Sequence, residues 1–464
     1  MTLLDFILFS SLILTLVGVG VYKSKRIQSE SAYLFADRKT KFIALTATLV
    51  MTEFNSATLI SFSSLGYGAG FWALTLPFIF LFGLLFYAGT VAKKWKEFDG
   101  HSVAGFFTQR YGRDIGLFAS SLLLLAMVGF SAAYIKSLIL LFQPLVPTVS
   151  PWLLSLLLLA IIFAMSLRGG LVAIIRTDMV SMVLMLLFFP LVAFFMWKSA
   201  ALPEISVAIE QSHTILPIRF IFSLIILTMF TYILAPWYGQ KIFAAASKKV
   251  AYWSVVVAAL LVFLLYGSAI FATALFRYRG FGAPSWEQAF PALIHTILPR
   301  GFKGFAYALF FTTSATTLTG IWSAMSAMWI GDFLKSPSKQ TDYRRSMVAT
   351  LVFAGISFLL ANTLVDKVFD KLILANIPVA ALSFGLLAGF YWKKASRVGV
   401  VISILMGCTC GIGAYLIFGE AGGYTWYWAV YGIPLIFLTG IAGSLFQKQP
   451  SNKQAELTIR SSDA

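Results

Sequence analysis

The chain is short of charge. Only 11% of its 464 residues are Asp, Glu, Lys or Arg, whereas a soluble domain carries about a quarter. An ordinary soluble globular protein of this length is thereby excluded. Histidine is nearly absent: His101, His213 and His295 are the only three. They fall in loops or near helix ends and form no metal constellation. Cysteine is limited to Cys408 and Cys410, both inside one apolar block, which excludes a disulfide framework and a zinc site. No nucleophile–base pair or metal set stands among the apolar segments, so a membrane-embedded enzyme is not indicated.

What the chain has is apolar sequence. Hydrophobic residues make up 59% and fall in blocks of about 20, the length that crosses a hydrocarbon core. The pattern predicts an all-α membrane protein with thirteen spans. They lie near 4–22, 42–66, 71–92, 115–143, 151–168, 171–197, 217–239, 251–276, 301–331, 344–363, 368–392, 396–418 and 424–446. The first block lacks a basic leader and a small-residue cleavage site, so it reads as a retained helix. Residues 1–447 read as a single transmembrane domain and 448–464 as a polar, disordered cytoplasmic tail.

The formal net charge is +17, which raises nucleic acid as a partner. The distribution argues against it. With the N-terminus outside, about 25 of the 35 Lys and Arg fall in cytoplasmic segments and about 8 in outer ones. Lys23, Lys25, Arg26, Arg38, Lys39 and Lys41 in the first loop lead the inner set. The excess charge is therefore topological: N-terminus out, C-terminus in, in a plasma membrane, the bacterial inner membrane by expectation. The lipid bilayer is the expected partner; no protein partner is readable.

Charge within hydrocarbon costs about 2.5–3.5 kcal/mol even on lenient scales, so intramembrane acids are functional candidates. Two stand out. Glu53 falls in the middle of the second span, and Asp178 about two turns into the sixth. Asp178 also suits a pair with Arg176 or Lys136 that holds the bundle together. Around Glu53 the sequence runs Val50-Met51-Thr52-Glu53-Phe54-Asn55-Ser56-Ala57-Thr58, with five polar residues in nine. Such a stretch suits a local unwinding whose carbonyls, hard oxygen donors, turn toward a cavity and favour Na⁺.

Residues 311–320 of the ninth span hold six hydroxyls in ten. At helical spacing Thr313, Thr316, Thr317 and Gly320 share a face, which suits an oxygen shell for a cation. Each Thr alone also suits a back-bond to its own helix. In the seventh span Pro236 follows Tyr232 and precedes Trp237 and Tyr238. The proline favours a break. Tyr232 lies deep enough for a pocket, while Trp237 and Tyr238 suit a pocket or an interfacial belt equally. Lys136 in the fourth span suits a pair with Glu53 or Asp178, a substrate carboxylate, or packing at a cavity.

The interrupted second and seventh spans are five apart, the signature of two inverted five-helix repeats with a site where the breaks meet. The repeats would run from about 42–197 and 217–392.

Three motifs carry a resemblance. Ser166-Leu167-Arg168-Gly169-Gly170 leading to Thr177-Asp178, Lys241-Ile242-Phe243-Ala244-Ala245-Ala246-Ser247, and Tyr33-Leu34-Phe35-Ala36-Asp37-Arg38 are similar to segments of the sodium/solute symporter family, which includes sodium/proline and sodium/glucose transporters. The resemblance implies a LeuT-like fold with Na⁺ as coupling ion. It implies that Met51, Phe54 and Thr313 offer carbonyls, and Thr316 and Thr317 hydroxyls, to one sodium. It implies a second sodium at Asp178, Thr316 and Thr319, although Gly320 lacks the hydroxyl that members with this site have there. It places Glu53, Thr58, Thr228, Tyr232, Pro236 and Lys136 on the substrate side, with Thr228 where the proline branch has Trp. The expected function is sodium-coupled uptake of a small polar organic solute, an amino acid such as proline, a sugar or a carboxylate. The rival expectations are proton coupling through Glu53 and Asp178, and a non-transporting membrane sensor that keeps the fold.

Overall fold

A computed structural model describes residues 2–21, 36–98, 100, 102–166, 170–198, 213–334, 343–420 and 423–446. The motif residues Tyr33–Phe35 and Leu167–Gly169, the first-loop residues Lys23, Lys25 and Arg26, His101 and the 448–464 tail lie outside the described residues.

The described residues form helices, with one isolated parallel bridge between Thr40 and Ala245. The principal helices are α1 (Leu3–Val21), α2 in two halves (Phe42–Glu53 and Ser56–Ala69), α3 (Pro77–Glu97), α4 (Arg113–Phe142), α5 (Pro151–Ser166), α6 (Gly170–Lys198), α7 in two halves (Ile218–Tyr232 and Pro236–Phe243), α8 (Lys248–Tyr278), α9 (Phe302–Met328), α10 (Tyr343–Thr363), α11 (Val368–Tyr391), α12 (Arg397–Phe418) and α13 (Tyr424–Phe446). The sequence predicts thirteen crossings. Among the described residues, eight helices are long and apolar enough to cross a bilayer, or ten if each bent pair is one span. α9 is not among them although it has 27 residues. Its threonines dilute its hydropathy, and those threonines are what it brings to the site. Two short helices, Val103–Tyr111 and Ala289–Ile297, are additions that the apolar blocks do not show.

Large apolar side chains point outward as well as inward. Leu125, Leu187, Leu416 and Ile417 are each 66–76% exposed, the arrangement expected where lipid rather than water surrounds the bundle. The interior reverses the rule for soluble proteins, because Glu53, Asp178 and Lys241 are all buried there.

Both predicted breaks are present. The halves of α2 meet at 57° and those of α7 at 49°. At the first break Phe54 and Asn55 leave helical geometry, and Asn55 starts the second half. Its Oδ1 accepts from the Thr58 N–H at 3.0 Å, and its Nδ2 donates to the Glu53 carbonyl at 2.9 Å. One side chain thus caps both ends of the gap. Tyr266 of α8 also donates to the Glu53 carbonyl, at 2.6 Å. In α7, Pro236 opens the second half at a position where its missing N–H costs nothing. The Ile233 carbonyl freed there accepts from Trp95 Nε1 at 2.9 Å. Backbone groups released at membrane depth therefore find partners within the protein.

The start of α9 is fixed by Asp5. Asp5 Oδ1 accepts from Gly301 N at 2.6 Å and Gly304 N at 3.3 Å. The close approach requires glycine, since a Cβ on Gly304 would stand 1.8 Å from the Asp5 carbonyl oxygen. Asp5 is a buried acid that reading the spans alone overlooks, because it stands at a helix end.

Candidate ion and solute site between the broken helices

The break in α2 faces the threonine stripe of α9. Thr317 Oγ1 lies 3.2 Å from the Met51 carbonyl oxygen and 2.9 Å from that of Thr313. Thr316 Oγ1 lies 3.1 Å from the same Thr313 oxygen. Four of the five residues expected at the principal sodium site, Met51, Thr313, Thr316 and Thr317, thus bring oxygens together. Phe54, the fifth, ends the first half of α2 at the break. The donor set is wholly oxygen, part carbonyl and part hydroxyl, which fits a hard monovalent cation. Among the described residues no group of His, Cys, Asp and Glu is arranged to hold a transition metal. Thr316 and Thr317 donate back to the Thr313 carbonyl of their own helix, as Thr312, Thr313 and Thr319 do to Ala308, Leu309 and Ala315; Thr317 alone also reaches α2, at the Met51 carbonyl.

Asp178 has a partner that the sequence reading did not assign. Its Oδ2 accepts from Thr48 Oγ1 at 2.6 Å and lies 3.5 Å from Lys241 Nζ. The ammonium also donates to the Thr48 carbonyl at 2.9 Å and to the Thr52 hydroxyl. One lysine from the second half of α7 thereby joins the first half of α2 to α6. Just beyond it, Thr40 N donates to Ala244 O at 2.9 Å and Ala246 N donates to Thr40 O at 2.8 Å. The motif from Lys241 onward therefore has a structural role: it fastens the entrance of α2 to the exit of α7. Of the hydroxyls expected beside Asp178, that of Thr316 stands against its carboxylate, while Thr319 spends its own on Ala315.

The two breaks meet through Glu53 and Tyr232. The Tyr232 hydroxyl donates to Glu53 Oε2 at 2.5 Å, while Oε1 is buried without a hydrogen-bond partner. Tyr232 is also part of the wall of a cavity. Thr58, Thr228, Thr231 and Asn376 supply that wall's polar atoms. The rings of Phe80, Phe130, Tyr134, Trp237 and Trp428 supply much of the rest. Of the residues expected on the substrate side, Thr58, Thr228 and Tyr232 line this cavity, Glu53 stands behind Tyr232, and Pro236 starts the helix beneath. Lys136 is not part of the wall; its charge acts on Glu287 in the segment before α9.

Three site residues escape the sequence reading. Lys241 reads as a flanking charge because it follows two aromatics near a helix end. Tyr134 and Tyr266 read as ordinary span residues, yet Tyr266 holds the Glu53 carbonyl and Tyr134 lies 3.5 Å from Asn55 Nδ2. The available signal is a tyrosine in the middle of an otherwise apolar span, since a buried phenol needs a partner.

Oxygen donors at a helix break, set beside a small cavity at a second break, are an arrangement that polytopic membrane transporters use. Residues 33–407 match the model of the Sodium:solute symporter family. The chain belongs to that family, whose members are multi-pass membrane symporters that use sodium and are not enzymes. Its small-molecule solute and the surrounding lipid follow from the same assignment. Among solved structures, a Na⁺-coupled sialic acid symporter in a substrate-bound outward-open state shares 19% identity, with 97% of this chain and 99% of that chain covered and a TM-score of 0.79. A mutant of the manganese transporter of Eremococcus coleocola shares 12% identity over 88% and 95%, with a TM-score of 0.54. MhsT in complex with L-phenylalanine shares 13% identity over 87% and 99%, with a TM-score of 0.53. At these identities the likenesses concern the fold, which is that of the LeuT-like transporters. No curated protein sequence matches the chain.

Proposed function

We propose that this protein takes up a small polar organic solute into the cell by alternating access, driven by sodium. The observation that carries the reading is the contact of the Thr317 hydroxyl of α9 with the Met51 carbonyl at the break of α2, beside the Thr313 carbonyl and the Thr316 hydroxyl. Sodium held there, with Phe54 as a further carbonyl donor, would cross-link the two helices and favour the state open to solute. Such coupling is reciprocal, so solute would tighten sodium in turn. The transport unit is 1–447, with inverted repeats over about 42–197 and 217–392 whose broken helices meet at Glu53 and Tyr232. In a plasma membrane it sits with its N-terminus outside and its C-terminus in the cytoplasm. Asp178 takes part through Lys241, which already supplies a positive charge where a second sodium would bind.

The test is solute uptake into proteoliposomes with and without an inward sodium gradient. Uptake several-fold faster with the gradient is expected; equal rates would sink sodium coupling. A second reading, proton coupling through Glu53 and Asp178, draws on the buried Oε1 and Oδ1 that have no hydrogen-bond partner. It would show as uptake driven by a pH gradient in sodium-free buffer.

A further inference from the structure

Among the described residues, the membrane interior around the breaks holds two buried acids, Glu53 and Asp178, and one buried base, Lys241. Lys241 is engaged by Asp178, Thr48 and Thr52, and its charge also reaches Glu53 across a gap that no hydrogen bond closes. Among the described residues no ion pair reaches Glu53, whose Oε1 is buried and unbonded. A carboxylate at this depth calls for a counter-charge.

The cavity beside it has the complementary character. Among the described residues no Lys, Arg or His is part of its wall, so no described side chain there can neutralise a solute carboxylate. Three of its polar side chains donate elsewhere. The Tyr232 hydroxyl donates to Glu53, Thr231 Oγ1 donates to the Thr228 carbonyl, and Asn376 Nδ2 donates to the Leu372 carbonyl. The Tyr232 and Thr231 oxygens leave acceptor lone pairs toward a solute, and Asn376 keeps one N–H. Trp428 Nε1 is buried without a partner, but one neutral N–H does not balance a carboxylate. The rest of the wall is aromatic, with rings meeting edge to face: Phe80 with Tyr232 at 5.8 Å and Phe130 with Trp237 at 5.1 Å. Ring faces carry partial negative charge and attract cations, most strongly when water is excluded.

We propose that this cavity takes a solute bearing a positively charged nitrogen, seated against the aromatic faces with Glu53 as its counter-charge through Tyr232. The proposal rests on the transport reading above and narrows it. Sugars and simple carboxylates drop out, and amines, quaternary ammonium compounds and ammonium-bearing amino acids remain.

The test uses the purified full chain in detergent and follows its melting temperature, with tryptophan fluorescence as a second readout. The probes are tetramethylammonium, methylammonium, tert-butanol as a neutral body of similar shape, acetate and glucose, at matched ionic strength in sodium and in potassium chloride. At least one ammonium probe should bind about tenfold or more tightly than tert-butanol, a margin of ~1.4 kcal/mol. Glu53→Gln should erase most of that margin. Phe130→Leu, which leaves the break intact, should weaken the ammonium probe several-fold even if the Glu53 variant fails to fold. No response to either ammonium up to molar concentration would overturn the proposal. So would tert-butanol matching tetramethylammonium, or acetate or glucose binding more tightly than both. Sodium-driven uptake of a neutral or anionic solute would overturn it and leave the transport reading standing. Ammonium binding and uptake indifferent to sodium would do the reverse.

Discussion

The Lys241 ammonium lies 3.5 Å from Asp178 Oδ2, with the two side chains only 3% and 1% exposed. Burying both charges is costly, and the pair is retained with additional bonds from Thr48 and Thr52. Removing one partner leaves the other uncompensated, a loss of about 3–5 kcal/mol for a buried pair. Lys241→Met and Asp178→Asn should therefore each lower the melting temperature markedly. The double variant should be destabilised by clearly less than the sum. Additive losses in a double-mutant cycle would show that the two groups are not coupled.

The proposed sodium site makes a sharper kinetic prediction. Thr317→Val keeps the shape of the side chain and removes the hydroxyl beside Met51 and Thr313. The sodium concentration for half-maximal uptake should rise about tenfold, or ~1.4 kcal/mol, and more in a Thr316→Ala/Thr317→Ala double variant. Unchanged sodium dependence in the double variant would reject the site.

Asn55 caps the second half of α2 and also holds the Glu53 carbonyl. Asn55→Ala removes the acceptor for Thr58 N, a change that costs about 0.5–2 kcal/mol at a helix start. The loss of the bond to Glu53 O adds to it. Thermal stability should fall, and sodium should restore part of it by tightening the same break. A variant as stable as wild type with and without sodium would show that Asn55 does not hold the break.

Gly304 is needed for the contact between α1 and α9. A Cβ there meets the Asp5 backbone at 1.8 Å, so Gly304→Ala must push α1 away or displace the start of α9. Overpacking of this kind costs about 1–3 kcal/mol. The expected readout is a lower melting temperature, with the half-saturating sodium concentration of the remaining folded protein little changed, because the site lies several turns along α9.

How much of this was legible beforehand depends on the kind of signal. The broken spans were readable at Glu53 and Pro236 because polar residues and proline in mid-span are locally incompatible with a continuous membrane helix. The threonine stripe was readable because helical periodicity places Thr313, Thr316 and Thr317 on one face. The partner of Asp178 was not. Arg176 and Lys136 are nearer in sequence or equally placed by span, and only the packing of α7 against α2 and α6 selects Lys241. Lys136 illustrates the converse: a charge within a predicted span that the fold carries toward Glu287, away from the cavity.

The sequence by itself determined the solvent of this protein, its helical class and the places where its helices must fail. Those properties follow from local chemistry, since each backbone group in lipid must be satisfied within its own segment or mark an exception. Tertiary structure alone decided which exceptions face one another: Met51 with Thr317, Glu53 with Tyr232, Lys241 with Asp178. The members of each pair stand far apart along the chain. No periodicity carries information over such distances; only the mutual packing of the helices does.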